Sequence, residues 1–170
     1  PVVVVRRAQA PLNFVSVGIS GGGREQRHAA VLRMSDIRAC RTPESLAAEQ
    51  GWVSNSAQIP AHLREALAAV SECSVKAHFV WGPVGSVGYQ LATSLPVTNG
   101  TSDLDVMIRC HVPPGRDQLR SFDEHLRKVP ASVDVILEAP LGGVAMREYL
   151  NGGEVLSKTS QGARIALFPW

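Results

Sequence analysis

Hydrophobic and polar positions alternate most cleanly in two short stretches, Leu104–Cys110 and Ser132–Glu138. In the first, Leu104, Val106 and Ile108 fall on one side, and Asp103 and Asp105 fall on the other. In the second, Val133, Val135 and Leu137 alternate with Asp134, Ile136 and Glu138. A period of two marks a half-buried strand. Between them, Arg116–Val129 repeats at the helical spacing, with Leu119, Phe122 and Leu126 inward and Arg120, Asp123 and Arg127 outward. Another helix starts at Pro60, carries Leu63, Leu67 and Val70 on one face, and ends near Ser74. Val75–Trp81 then reads as a strand, which Gly82-Pro83 breaks.

Upstream, residues 2–6 and 14–19 read as two strands joined by a turn, with Gly21-Gly22-Gly23 ending the second. The stretch from Gln26 to Cys40 fits either a strand or a helical turn. Thr42 before Pro43 predicts a helix start, capped by the hydroxyl, that runs to Gln50. A short helix is expected from Ser86, a helix over Leu141–Leu150, and a last strand pair at Glu154–Ser157 and Ala163–Phe168. The fold class that follows is α/β (α+β): a mixed β-sheet flanked by helices over residues 56–170, with a small N-terminal β-containing subdomain over 1–55.

Composition narrows the function classes. A chain of 170 residues with 45% hydrophobic and 19% charged positions folds around a real core. No apolar run is long enough to span a bilayer, and Val2–Val5 followed by Arg6-Arg7 lacks the layout of a signal peptide. The formal charge of +2 is too mild to imply nucleic-acid binding. Three scattered cysteines, Cys40, Cys73 and Cys110, form no metal or disulfide pattern and suit a reducing cytoplasm. The chain opens on Pro1, so further N-terminal sequence is expected before it.

Candidate chemistry gathers between Gly85 and Asp105. Gly85-Ser86 follows a strand and opens a helix, where free amides and a hydroxyl can hold phosphate oxygens. Asp103 and Asp105 project from one face of a strand, where their like charges repel until a divalent cation neutralises them. Magnesium, or manganese, suits such a site, because it takes carboxylate oxygens and shares substrate phosphates. Asp134, opening the next strand, completes a carboxylate trio; Glu138 shares its face but sits at the far end. Together these residues predict nucleotidyl transfer. Arg6, Arg7, Arg109, Arg147 and Lys158 are further candidates for phosphate contacts. Two other motifs fit less well. The elbow-like Gly18-Ile19-Ser20-Gly21-Gly22 is followed by glycines that start a helix poorly, and Gly85-Ser86-Val87-Gly88 follows a strand where an RNA-binding G-x-x-G loop needs a helix.

The glycine-serine turn, Asp103-Leu104-Asp105 and Asp134 resemble the DNA polymerase β-type nucleotidyltransferase superfamily. Gly85-Ser86 with Gln90 and Thr93, then Ser102-Asp103-Leu104-Asp105, resembles more narrowly the phosphoribosyl-dephospho-CoA transferase family of malonate decarboxylase. Val4-Val5-Arg6-Arg7, the segment from Gly152 through Thr159, and Pro169-Trp170 agree with it. That family would carry glycine where Ser94 stands. The resemblance implies that 2'-(5''-triphosphoribosyl)-3'-dephospho-CoA is joined to a serine of the apo acyl-carrier subunit, with release of pyrophosphate. It implies Asp103 and Asp105 as metal ligands, with Asp134 inferred as the third. It further implies Gly85, Ser86, Gln90, Ser102 and Lys158 as the donor-binding residues. A small-molecule adenylyltransferase and a non-catalytic nucleotide- or RNA-binding module are the competing readings.

Overall fold

The computed structural model describes residues 2–20, 27–54 and 57–170. Two sheets organise them. Strands β1 (Val4–Val5), β2 (Phe14–Ser20) and β3 (Arg27–Arg33) form an antiparallel sheet in that order. The ambiguous stretch after Gln26 is therefore a strand, closed by a 3₁₀ turn at Met34–Asp36. The expected strand end at Gly21-Gly22-Gly23 lies outside the described residues, as do Asn55 and Ser56 at the expected domain boundary.

Helix α1 (Pro43–Glu49) begins as the sequence predicts. Thr42 and Ser45 exchange side-chain and backbone hydrogen bonds in a reciprocal cap, with proline in the first turn. Then follow α2 (Ala61–Lys76), β4 (Val80–Pro83), α3 (Gly85–Thr93), β5 (Leu104–Arg109), α4 (Arg116–Leu126), β6 (Val133–Ala139), β7 (Gly142–Ala145), α5 (Met146–Asn151), β8 (Val155–Thr159) and β9 (Gly162–Ala166). Strands β4 to β9 make one six-stranded sheet in sequence order, parallel only between β5 and β6. Fold class and the mixed, helix-flanked sheet agree with the sequence reading.

Two element assignments change. Val75 and Lys76 extend α2 instead of opening a strand. Val75 lies on the solvent side, and Lys76 pairs with Glu72 one turn back, where a cation also suits the helix C-terminus. The strand begins later and includes Gly82 and Pro83. Proline is tolerated there because β4 is the sheet edge. Gly82 is required because a Cβ would lie 2.0 Å from the Pro43 carbonyl, so α1 packs directly on β4.

The expected helix over Leu141–Leu150 is half strand. After Ala139 the chain turns at Pro140-Leu141 and returns as β7, and only then coils into α5. Gly142 has φ +145, which a hairpin uses and a helix does not.

One face of β5 and β6 builds the core. Leu104, Val106, Ile108, Val133, Val135 and Leu137 pack with Leu63, Leu67 and Val70 of α2 and with Leu119, Phe122 and Leu126 of α4. Burial pushes the thiol of Cys110 at the end of β5 up to about 11. The opposite face carries the charged residues. Among the described residues, no helix is long and apolar enough to cross a membrane.

Candidate active site

The alternation that buries Leu104, Val106 and Ile108 turns Asp105 to the other face of the sheet. Parallel pairing places Asp134 opposite Asp105. Their backbones are thus neighbours, about 4.8 Å apart, and their side chains leave the sheet on one side. Asp103 stands one residue ahead of β5 and is half-buried. The sequence therefore brings three acids to one end of two adjacent strands.

The first turn of α3 lies against this end. Val84 donates its N–H to the Asp105 carbonyl oxygen at 2.9 Å, which fixes the turn on β5. Gly85 has φ +59, and a Cβ there would lie 2.1 Å from Oδ2 of Asp105. The carboxylate thus sits beside the helix N-terminus, where partial positive charge favours it. Val84 provides no side-chain cap. The turn's backbone N–H groups and the half-buried Ser86 hydroxyl suit an anion.

Asp134 is ion-paired: Nη1 of Arg147 lies 3.6 Å from its Oδ1, and the Asp134 side chain is 59% exposed. Arg147 is itself positioned by Asp123, whose Oδ1 accepts from its Nε at 2.9 Å. Arg127 donates to the other Asp123 oxygen at 2.8 Å. Helical periodicity places Asp123 outward, yet it is buried at 6% exposure. Two guanidiniums neutralise it there, as a buried carboxylate requires. The sequence signal for this burial is the pair Asp123 and Arg127, four apart on one helix face.

The other predicted site residues divide into two groups. Ser102 closes a turn in which its Oγ accepts from the Asn99 N–H at 3.0 Å. Its carbonyl oxygen lies 3.1 Å from Nε2 of His62, so α2 steadies the approach to Asp103. Gln90 is held inside the fold. It is 1% exposed, and both ends of its amide are occupied. Nε2 donates to the carbonyl oxygens of Ala57 and Gln58, while Oε1 accepts from the N–H groups of Val97 and Thr98 and the Thr98 hydroxyl. Gln90 therefore ties two loops to α3.

Lys158 and Glu138 occupy the far side of the same face. Arg7 from the N-terminal segment ion-pairs with Glu138 and donates from Nη1 to the Lys158 carbonyl oxygen at 2.6 Å. A Cβ on Gly143 would lie 2.2 Å from that Nη1. In the β5–β6 register Asp134 stands opposite Asp105, whereas Glu138 stands opposite Arg109. On the opposite flank, Arg109 donates to Glu44 of α1 at 2.6 Å. Burial alone would raise the Glu44 pKa, but hydrogen bonds from the backbone, Arg109 and Thr42 hold it below its ordinary value.

Among the described residues, no three His, Cys, Asp or Glu side chains close on one point. Asp103 and Asp105 nevertheless bring the donor chemistry of magnesium or manganese. Magnesium is commonly held through one or two carboxylates together with substrate phosphates. The residues present fit such an ion on those terms, with Asp134 held by Arg147 as the chain stands.

Two family models cover this chain. The phosphoribosyl-dephospho-CoA transferase MdcG C-terminal domain matches residues 45–167, and the MdcG N-terminal domain matches residues 1–43. The chain belongs to this family. Relatives named phosphoribosyl-dephospho-CoA transferase agree along nearly the whole length. One from Pseudomonas putida is 40% identical over 169 residues, spanning 99% of this chain and 79% of its own. One from Azotobacter vinelandii is 40% identical over 171 residues, with the same coverage of each chain. One from Klebsiella pneumoniae strain 342 is 36% identical over 170 residues, covering 99% of this chain and 80% of its own. No solved structure matches the chain.

Proposed function

We propose that this chain transfers a phosphoribosyl-dephospho-CoA group from 2'-(5''-triphosphoribosyl)-3'-dephospho-CoA to a serine of the apo acyl-carrier subunit of malonate decarboxylase. The observation that carries the reading is the register of Asp105 with Asp134 beside the Gly85 turn. That arrangement sets carboxylates and a helix start at one end of the sheet, the kind of arrangement triphosphate chemistry uses. The family relationship supplies the substrate class.

In the proposed step the serine Oγ attacks the α-phosphorus of the donor. The new O–P bond forms as the bond from the α-phosphorus to the leaving pyrophosphate breaks, and the serine proton passes to Asp134 or to solvent. Gly85 and Ser86 hold the triphosphate through backbone N–H groups and the hydroxyl. Ser102, fixed by Asn99 and His62, sets the approach of Asp103. Asp103 and Asp105 would hold Mg2+ or Mn2+, with Asp134 as the third ligand. A bound ion would supply charge neutralisation on the phosphates. Lys158 contacts the donor away from the reacting phosphorus. A cytoplasmic setting is proposed alongside, since the three cysteines are free thiols.

Incubating the chain with donor, magnesium and apo carrier tests this by mass spectrometry. The expected result is one carrier species heavier by the phosphoribosyl-dephospho-CoA group, with equimolar pyrophosphate. An unmodified carrier, with transfer to a small hydroxyl compound instead, would overturn the acceptor.

A further inference from the structure

On the face that carries Asp134, a cleft of about 430 Å³ opens between Arg7, Ile136, Lys158, Thr159, Gly162 and Ala163. Its size lies within the range of about 300–1,000 Å³ typical of small-molecule sites. Ile136 forms its floor two residues along β6 from Asp134, about 7 Å away on the same face. A ligand seated there therefore reaches the carboxylates without crossing an element.

The lining has two characters. Ile136, Gly162 and Ala163 are apolar, whereas Lys158 and Arg7 bring positive charge to the rim. Arg7 is fixed in place by the Glu138 carboxylate, the Lys158 carbonyl oxygen and the bare backbone of Gly143. Two of its nitrogens are engaged on one side, and a guanidinium carries further N–H donors. Among the described residues, the Lys158 ammonium makes no ion pair and its side chain is exposed. An apolar floor with a cationic rim suits a flat base attached to phosphates. A phosphate-only site has no use for the floor, and an uncharged pantetheine arm has no use for the rim.

We propose that this cleft takes the adenosine diphosphate portion of the dephospho-CoA moiety. The purine lies on Ile136 and Ala163, and the diphosphate meets Lys158 and Arg7. The proposal rests on the reaction given above and deepens it. The carboxylate end holds the reacting triphosphate while the cleft holds the remote half of the donor. Binding at the remote half then contributes positioning at the reacting phosphorus.

Calorimetric titration of the full chain with dephospho-CoA and ADP without metal, and with inorganic pyrophosphate in the presence of magnesium, tests the assignment. Lys158→Ala is expected to weaken dephospho-CoA and ADP about tenfold, the loss of one charged hydrogen bond, and to leave pyrophosphate binding unchanged. Ala163→Trp, which fills the cleft, is expected to abolish dephospho-CoA binding; circular dichroism melts confirm that both variants fold. Dephospho-CoA binding that is absent in the unaltered chain, or equal in all three chains, overturns the cleft. The carrier assay separates the two proposals. Transfer by the unaltered chain, inhibited equally by dephospho-CoA in every variant, removes the cleft and leaves the reaction. Binding that the variants lose, with no transfer to any carrier, removes the reaction and leaves the cleft.

Discussion

Gly85 and Asp105 are in such close approach that no side chain fits between them: a Cβ at 85 would lie 2.1 Å from the Asp105 carboxylate oxygen. The backbone there is also left-handed, at φ +59. Gly85→Ala is therefore expected to cost about 1–2 kcal/mol in backbone strain alone and to displace the Asp105 carboxylate. A melting temperature lowered by a few degrees, with carrier transfer reduced far more than stability, is the expected outcome. Equal losses in the two measurements would reduce Gly85 to a structural turn.

Asp103→Asn and Asp105→Asn keep shape and remove charge. Each is expected to abolish transfer while leaving the melting curve near that of the unaltered chain. Asp105→Asn is further expected to lose magnesium-dependent binding of pyrophosphate, followed by calorimetry. Near-normal carrier modification by either variant would sink the assignment.

Gln90→Leu fills the same volume and strands the polar groups that the amide now satisfies. Leaving several buried backbone groups unpaired is expected to cost about 2–4 kcal/mol. The check is a thermal or denaturant melt beside the donor KM. An unchanged melt with a raised KM would return Gln90 to substrate contact.

Ser94 caps α3 in the left-handed conformation, with φ 60 and ψ 13. This is the position where the family resemblance calls for glycine. Ser94→Gly is expected to stabilise the chain by about 0.5–1 kcal/mol, the relief of strain less the extra freedom of an unfolded glycine. A lower denaturation midpoint would show that Ser94 makes a compensating contact.

The Glu44–Arg109 pair predicts a pH dependence. Glu44 titrates below its ordinary range when folded, so its contribution is present above the unfolded pKa and is lost as pH falls through the folded one. Stability measured from about pH 6 down to pH 3 is expected to fall, and Glu44→Gln to flatten part of that slope. An identical slope in the variant would remove the pair from the account.

Much of the site was legible because it is local. Alternation in Leu104–Arg109 and Val133–Ala139 depends on the pleat alone, so it assigns a core face and a carboxylate face without knowing the neighbours. The Thr42-Pro43 cap and the Gly85-Ser86 turn are equally local. The failures are of the opposite kind. Val144-Ala145-Met146 is apolar without a decisive period, and Gly142-Gly143 just before it turns the chain back as a hairpin strand. Asp123 looks like a surface acid until α5 brings Arg147 to it from 24 residues away.

By itself, then, the sequence determined the local pattern of the candidate site: acids at strand starts and a glycine turn that opens a helix. Tertiary structure decided which acids are neighbours, because strand register is a pairing between distant segments that no local periodicity encodes. It sets Asp105 against Asp134, removes Gln90 into the loops it ties together, and brings Arg7 across to Glu138 and Lys158. Those long-range pairings build the cleft beside the carboxylates.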